Sequence, residues 1–311
     1  MSNRTPDKPD AGRLVGCLVG LAIGDALGMP AEGLTRHEIH ARWGRIADFL
    51  PAPDLRAGQY TDDTQMAIAI GESIVRVGRF DADAAAQALS EWWAGGDPRR
   101  PGAGTAEACE RLLRGAAWRD AGSQSAGCGP VPRAVVIGLL DCRSPGGLVE
   151  DVVASSLMTH RDARAVAGAV TIAAAVAHLL FAQGPLDVAA FLDHAAAAAE
   201  EHDRRMTTAI RGIPDVLDLP PRLAMNELGC SGLAVEAVPA AVYCFVSTPD
   251  DFAESVLLAV NGGGDCDTIA AVTGALSGAY LGLPGIPPAW AEGVEGSQQL
   301  QQLAREIHAL A

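Results

Sequence analysis

Aromatic residues make up only 5% of this 311-residue sequence, and alternating runs of β-branched residues are nearly absent from it. Both absences weigh against a β-sandwich or barrel, whose strands draw on Val, Ile, Thr and aromatic side chains. The seven cysteines, at positions 17, 109, 128, 142, 230, 244 and 266, include no CxxC pair and no even-numbered framework. They read as free thiols of a reducing compartment. Lys and Arg number 23 against 38 Asp and Glu, a formal charge of −15, which argues against a dedicated nucleic-acid surface because phosphate neutralisation needs clustered cations. Residues 1–10 are polar and lack the apolar core of a signal peptide, so the expectation is a cytoplasmic protein with a disordered segment over 1–10. Segments 165–182 and 269–288 lack Asp, Glu, Lys and Arg and approach the length of a membrane span. The first is mostly Ala with Thr171 and His178 inside it, and the second is broken by Gly and Pro, so both read as buried helices with no membrane partner.

What the chain does contain is Ala, Gly and 49% hydrophobic residues, enough to fill the core of one large helical domain. Segment 13–27 is an apolar, small-residue helix with Asp25 near its end, followed by a Gly-, Pro- and charge-rich loop over 28–60. Met66, Ile70, Ile74 and Val77 recur at helical spacing over 64–77. Further helices are expected at 82–93, 106–115, 133–140, 147–157, 163–182, 186–199, 234–245, 251–260 and 268–281. Segments 95–105 and 121–132 read as Gly-rich loops. No linker divides the chain, and the expected fold is all-α, a single-domain orthogonal helical bundle over 11–311.

Two segments some two hundred residues apart in sequence share one design: Thr61-Asp62-Asp63-Thr64 and Asp265-Cys266-Asp267-Thr268. Each places two carboxylates and a Thr at a helix start, where acids accept orphan N–H groups and oppose the helix dipole. One such start is an ordinary cap. Two change the balance, because four carboxylates gathered in one cleft repel strongly unless cations neutralise them. The second follows Gly262-Gly263-Gly264, which permits close approach to a ligand. Asp and Thr ligands without paired His or Cys point to two Mg2+ or Mn2+ ions in a binuclear cleft. Glu32, on the loop after the first helix, reads by itself as a solvated acid, and His160 as a helix-start residue. Ser125-Ala126-Gly127-Cys128-Gly129-Pro130 offers backbone N–H groups to phosphates, although turn chemistry is the default for such a loop. Cys128 has no nearby His or cationic helix start in sequence and reads as an inert thiol.

In this order, the run from Gly16 to Gly28 (Gly-Cys-Leu-Val-Gly-Leu-Ala-Ile-Gly-Asp-Ala-Leu-Gly), Thr61-Asp62-Asp63-Thr64, Gly127-Cys128-Gly129, Thr159-His160 and Gly263-Gly264-Asp265-Cys266-Asp267-Thr268 resemble the ADP-ribosylglycohydrolase family. The resemblance covers nearly the whole chain. It implies a compact all-α fold whose binuclear centre is held by Thr61, Asp62, Asp63, Asp265, Asp267 and Thr268, with Asp267 bridging both ions. Glu32, Asp62, Asp63 and Asp267 would then be the catalytic set, Glu32 gating or activating the attacking water. Ser125, Gly127, Cys128 and Gly129 would line the diphosphate, His160 the phosphate-ribose part, and Gly102, Gly104 and Asn261 the pocket wall. The implied reaction is metal-dependent release of ADP-ribose from a protein side chain or small-molecule acceptor, by a monomeric enzyme.

Two departures bear on the acceptor. Arginine-directed members often carry Asp-Ile-Gly or Asp-Val-Gly where this chain has Arg100-Pro101-Gly102-Ala103-Gly104, a loop closer to that of the serine-directed relatives. Pro132 also replaces the usual Met before Arg133. The alternatives are an ADP-ribose-binding relative without turnover, against which both intact Asp pairs argue, and an all-helical Mg2+-dependent nucleotide phosphohydrolase.

Overall fold

Glycines spaced by four along the first helix set the architecture. In the computed structural model, which describes residues 8–311, α1 (Ala11–Gly28) runs antiparallel to α15 (Cys266–Leu281), with Gly16 against Gly278, Gly20 against Gly274, Gly24 against Ala270 and Gly28 against Cys266. The backbones touch: a Cβ on Gly20 would lie 2.2 Å from Gly274 O, and one on Gly24 1.9 Å from Ala270 O. Only glycine permits that approach. Every residue of α1 from Leu14 to Gly28, and of α15 from Cys266 to Tyr280, is buried. The run Ala11–Ala31 has the length and apolarity of a membrane span, yet its most apolar 18-residue stretch is 94% buried inside this bundle.

Around that pair, in chain order, come α2 (Arg36–Trp43), α3 (Asp62–Val77), α4 (Ala82–Ala94), α5 (Ala103–Leu113), α6 (Trp118–Ala121), α7 (Pro130–Leu140), α8 (Pro145–Leu157), α9 (Ala163–Leu179), α10 (Val188–Ala199), α11 (Arg204–Arg211), α12 (Pro221–Leu228), α13 (Ala234–Ser247), α14 (Phe252–Val260), α16 (Pro288–Gly293) and α17 (Ser297–Leu310). Among the described residues there is no strand, only isolated bridges pairing Ser123 with His160 and Gly127 with Leu233. The all-α expectation holds. The two charge-free segments are the buried helices α9 and α15 with the turn that follows the latter.

Several details differ from the sequence reading. The 28–60 loop contains α2, a polar helix that buries only Ile39 and is set by a capping box between Thr35 and Glu38. α5 begins at Ala103, so Gly104 is helical. α7 starts three residues early, at Pro130, and Pro132 also falls in its first turn, where a missing N–H costs nothing. Residues 1–7 of the expected disordered segment lie outside the described residues. Pro9 is buried and accepts a hydrogen bond from His308 Nε2 at 3.1 Å, and Asp10 caps α1 by accepting from Arg13 N–H at 3.1 Å.

Candidate active site

The antiparallel register of α1 and α15 brings the end of one helix to the start of the other. A Cβ on Gly28 would lie 2.6 Å from Asp267 Cα. One turn earlier on α1, the fully buried Asp25 reaches α3: its carboxylate accepts Thr61 N–H at 2.9 Å, Thr64 N–H at 3.1 Å and the Thr64 hydroxyl at 2.6 Å. Asp25 thereby pins the Thr61-Asp62-Asp63-Thr64 start against the α1–α15 pair. Burial raises its pKa to about 6, the Thr hydrogen bonds pulling the other way.

The second acidic start is held by two glycines. Gly263 and Gly264 have φ of +88° and +78°, and a Cβ on Gly264 would lie 1.9 Å from Cys230 O. Glycine is required on both counts. Gly264 N–H donates to Leu34 O and Gly33 N–H to Gly264 O, each at 2.8 Å. This reciprocal pair ties the Glu32 loop to the start of α15, so Glu32 faces Asp265 and Asp267.

Neither start spends its carboxylates on capping. At α3 the Thr61 side chain accepts Asp63 N–H at a long 3.4 Å, while Asp62 and Asp63 project from the first turn. Asp265 occupies the cap position of α15 without capping it, and its Oδ2 instead accepts the Cys128 thiol at 2.8 Å. Asp63 Oδ2 and Asp267 Oδ1 are buried with no hydrogen-bond partner at all. Burial, reinforced by neighbouring carboxylates, raises the pKa of Asp62, Asp63 and Asp267 well above the ordinary range. Isolated buried carboxylate oxygens of this kind are costly unless something cationic meets them.

As the side chains stand, no group of three or more His, Cys, Asp and Glu among the described residues forms a ready-made cation cage. The donor set nonetheless fits a hard divalent ion: carboxylates and Thr hydroxyls, two orphaned oxygens, and no soft ligand presented as thiolate. Cys128 stays a thiol, because burial and then Asp265 push its pKa well upward.

Across the acidic starts lies the glycine-rich loop. Ser125 Oγ accepts Gly127 N–H at 3.1 Å, and Cys128 N–H donates to Gly232 O at 2.9 Å. A Cβ on Gly129 would lie 2.9 Å from His160 Cε1, and one on Gly104 3.0 Å from Ser125 Cβ. Gly104, Ser125, Gly127, Cys128, Gly129 and His160 therefore gather along one wall. Beneath it Arg133, wholly buried, donates to Gly129 O at 3.2 Å, Ser155 O at 2.8 Å and Thr159 Oγ1 at 2.6 Å. Thr159 Oγ1 lies 2.8 Å from His160 Nδ1. A guanidinium only donates, so the Thr159 hydroxyl accepts from Arg133 and can donate to Nδ1, placing the imidazole proton on Nε2. Burial, and then Arg133, lowers the His160 pKa to about 3, which keeps the ring neutral.

Two expected pocket-wall residues stand apart. The Asn261 amide is committed to the backbone, accepting Ile46 N–H at 2.8 Å and donating to Ile46 O at 2.9 Å and Leu257 O at 2.8 Å, so it fastens the loop before α3 to the end of α14. Gly102 is exposed, and a Cβ there would meet nothing within 4 Å. Conversely, Asp25, Arg100 and Arg133 were not singled out as site residues. A charge inside the apolar run 13–27 was the available signal for Asp25; the partners of the two arginines are set only by the tertiary fold.

Buried acids at two helix starts thus lie beside an acidic loop and opposite a glycine-lined wall in an all-α fold. The sequence matches the ADP-ribosylglycohydrolase family over residues 6–311, and the chain belongs to that family, whose enzymes hydrolyse glycosidic linkages to ADP-ribose. ADP-ribosylarginine hydrolase Tri1 of Pseudomonas putida (strain GB-1) is 30% identical to it, over 95% of this chain and 77% of its own. ADP-ribosylhydrolase ARH3 of Homo sapiens is 26% identical over 95% of this chain and 93% of its own. A solved chain described as an ADP-ribosylglycohydrolase-related protein complex superposes with a TM-score of 0.81 at 26% identity, covering 96% of this chain and 98% of that one.

Proposed function

We propose that the protein hydrolyses the N- or O-glycosidic bond joining ADP-ribose to an acceptor, and that Thr61, Asp62, Asp63, Asp265, Asp267 and Thr268 would hold two Mg2+ or Mn2+ ions. The observation that carries this reading is the pair of buried, unpartnered oxygens, Asp63 Oδ2 and Asp267 Oδ1, delivered by two different helix starts. When bound, such ions supply Lewis acidity toward a water and toward the ribose hydroxyls.

The chain's own groups do the rest. Gly129 offers its backbone amide to the diphosphate, with the Ser125 hydroxyl and His160 Nε2–H beside it, while the Gly127 and Cys128 amides hold the loop's shape through Ser125 Oγ and Gly232 O. Cleavage of the bond at the anomeric carbon builds oxocarbenium character, which a buried carboxylate cluster stabilises. Glu32 receives the proton of the attacking water at Oε1, its Oε2 being engaged by Arg100 at 3.2 Å. Its pKa is raised, chiefly by burial, which makes the carboxylate a better proton acceptor than an exposed one. The water oxygen bonds to the anomeric carbon as the bond to the acceptor breaks; the acceptor leaves with the bonding pair and takes up the proton Glu32 received, which returns Glu32 to its carboxylate form.

The test is a product assay on ADP-ribosyl-arginine, ADP-ribosyl-serine, O-acetyl-ADP-ribose, poly(ADP-ribose) and ADP-ribosylated nucleic acid. Release of free ADP-ribose from at least one of them is expected. Release of AMP would instead make the protein a nucleotide phosphohydrolase, and binding without turnover would make it a reader of ADP-ribose.

A further inference from the structure

Two adjacent arginines before α5 face opposite ways. Arg99 turns to Glu295 and Tyr60 O, its side chain 13% exposed. Arg100 turns toward the rim of the cleft, and it does so from a left-handed backbone, φ +53°, the one non-glycine residue with positive φ among those described. A side chain with a Cβ is disfavoured there and persists only where its surroundings hold it. What holds Arg100 is a full set of partners: Nε and Nη2 grip the Asp54 carboxylate, while Nη1 donates to Met29 O at 2.6 Å and to Glu32 Oε2 at 3.2 Å. The Arg100 side chain is 22% exposed, between Glu32 at 35% and Asp54 at 53%. Glu32 in turn borders Asp267, so this guanidinium is one side chain removed from the acidic pairs.

We propose that Arg100 is a specificity-determining residue that fills the Glu32–Asp54 carboxylate clamp with an internal guanidinium and thereby selects against cationic acceptors in favour of neutral, oxygen-linked ones. The inference rests on the glycohydrolase reading above and adds the acceptor class. A pocket that chooses an arginine acceptor must offer it carboxylates in matched planar geometry. Here both carboxylates nearest the rim are already bonded to a guanidinium, and an incoming one meets like charge, which is discrimination by repulsion as well as by absence of a partner. Asp97, the other acid of this loop, is 77% exposed and lies 3.3 Å from Arg99, a second guanidinium that competes for it.

Arg100→Gly suits the positive φ and unmasks both carboxylates; Arg100→Lys keeps the charge. With ADP-ribosyl-arginine and ADP-ribosyl-serine peptides of matched sequence, wild type should favour serine. Arg100→Gly should raise the arginine-to-serine ratio of kcat/KM by at least about tenfold, mainly through a lower KM for the arginine substrate. Arg100→Lys should leave the ratio within about threefold of wild type. Independently of turnover, free guanidinium ion at low millimolar, non-denaturing concentration should bind Arg100→Gly, seen as a thermal upshift absent with potassium, and should not bind wild type. An unchanged ratio in Arg100→Gly, or guanidinium binding equally to both proteins, would overturn the proposal. If wild type cleaves no ADP-ribosyl substrate, the glycohydrolase reading fails by itself, and selective guanidinium binding by Arg100→Gly, or its absence, decides the clamp alone.

Discussion

His160 is neutral because two neighbours leave it no choice. It is 3% exposed, and Thr159 Oγ1, already accepting from the buried Arg133, stands 2.8 Å from Nδ1. Burial first, and then repulsion by the guanidinium, which also orients the hydroxyl, take the imidazole from its ordinary 6.5 to about 3. The consequence for stability has a definite sign. Below about pH 6.5 the unfolded chain takes up a proton at this position while the folded one does not, so stability falls as pH drops toward about 3. The imidazole resonances of His160 should accordingly stay unshifted between about pH 5 and pH 8, followed by NMR, and His160→Gln should flatten the acid limb of the stability curve. A His160 titrating near its ordinary value would show that the Arg133–Thr159 relay does not govern it.

At the scale of elements, the site depends on how closely α1 and α15 approach, and that approach depends on glycine. A methyl on Gly20 would collide with backbone, Gly274 O at 2.2 Å, and backbone cannot swing aside as a side chain can. Gly20→Ala should therefore lose about 3 kcal/mol in denaturant unfolding, the upper end of the cost of overpacking. Gly146, in the first turn of α8, has nothing within 4 Å of a would-be Cβ, so Gly146→Ala should be neutral or gain up to about 1 kcal/mol from helix propensity. Equal stability of the two variants would remove the glycine register as the device that aligns the acids. The helices themselves were legible where apolar residues recur at helical spacing, as in α3, α9 and α13. α2 was not, since RHEIHARW buries a single residue and its only signal is the Thr35–Glu38 capping box. α17 carried a readable stripe, Leu300, Leu303, Ala304 and Ile307, that lay beyond the motifs. The Gly16, Gly20, Gly24 and Gly28 spacing was visible too, but which partner those glycines met is tertiary information.

For the molecule as a whole, the cleft is assembled from the Glu32 loop, the start of α3, the 125–129 loop, His160 and the start of α15, which meet only because the first and the fifteenth helices pack at the centre. Residue chemistry at Thr61-Asp62-Asp63-Thr64 and Asp265-Cys266-Asp267-Thr268 could be read from sequence because each start carries two acids and a Thr, more than a cap needs. Distinguishing caps from ligands could not, since it turns on where each oxygen points: Asp265 to Cys128, Asp63 Oδ2 and Asp267 Oδ1 to no protein donor. The partners of the Asn261 amide, Ile46 and Leu257, are likewise set only by the tertiary fold. The most direct measurement is to strip the protein exhaustively with a chelator, titrate Mn2+ back, and count bound ions against rate of ADP-ribose release, for wild type and for Asp267→Asn. Two ions per chain, no turnover when stripped, recovery on titration, and at least about a hundredfold loss of turnover in Asp267→Asn are expected. Full activity of the stripped enzyme, or near-normal kinetics of Asp267→Asn with unchanged ion count, would contradict a metal centre built on the two acidic helix starts.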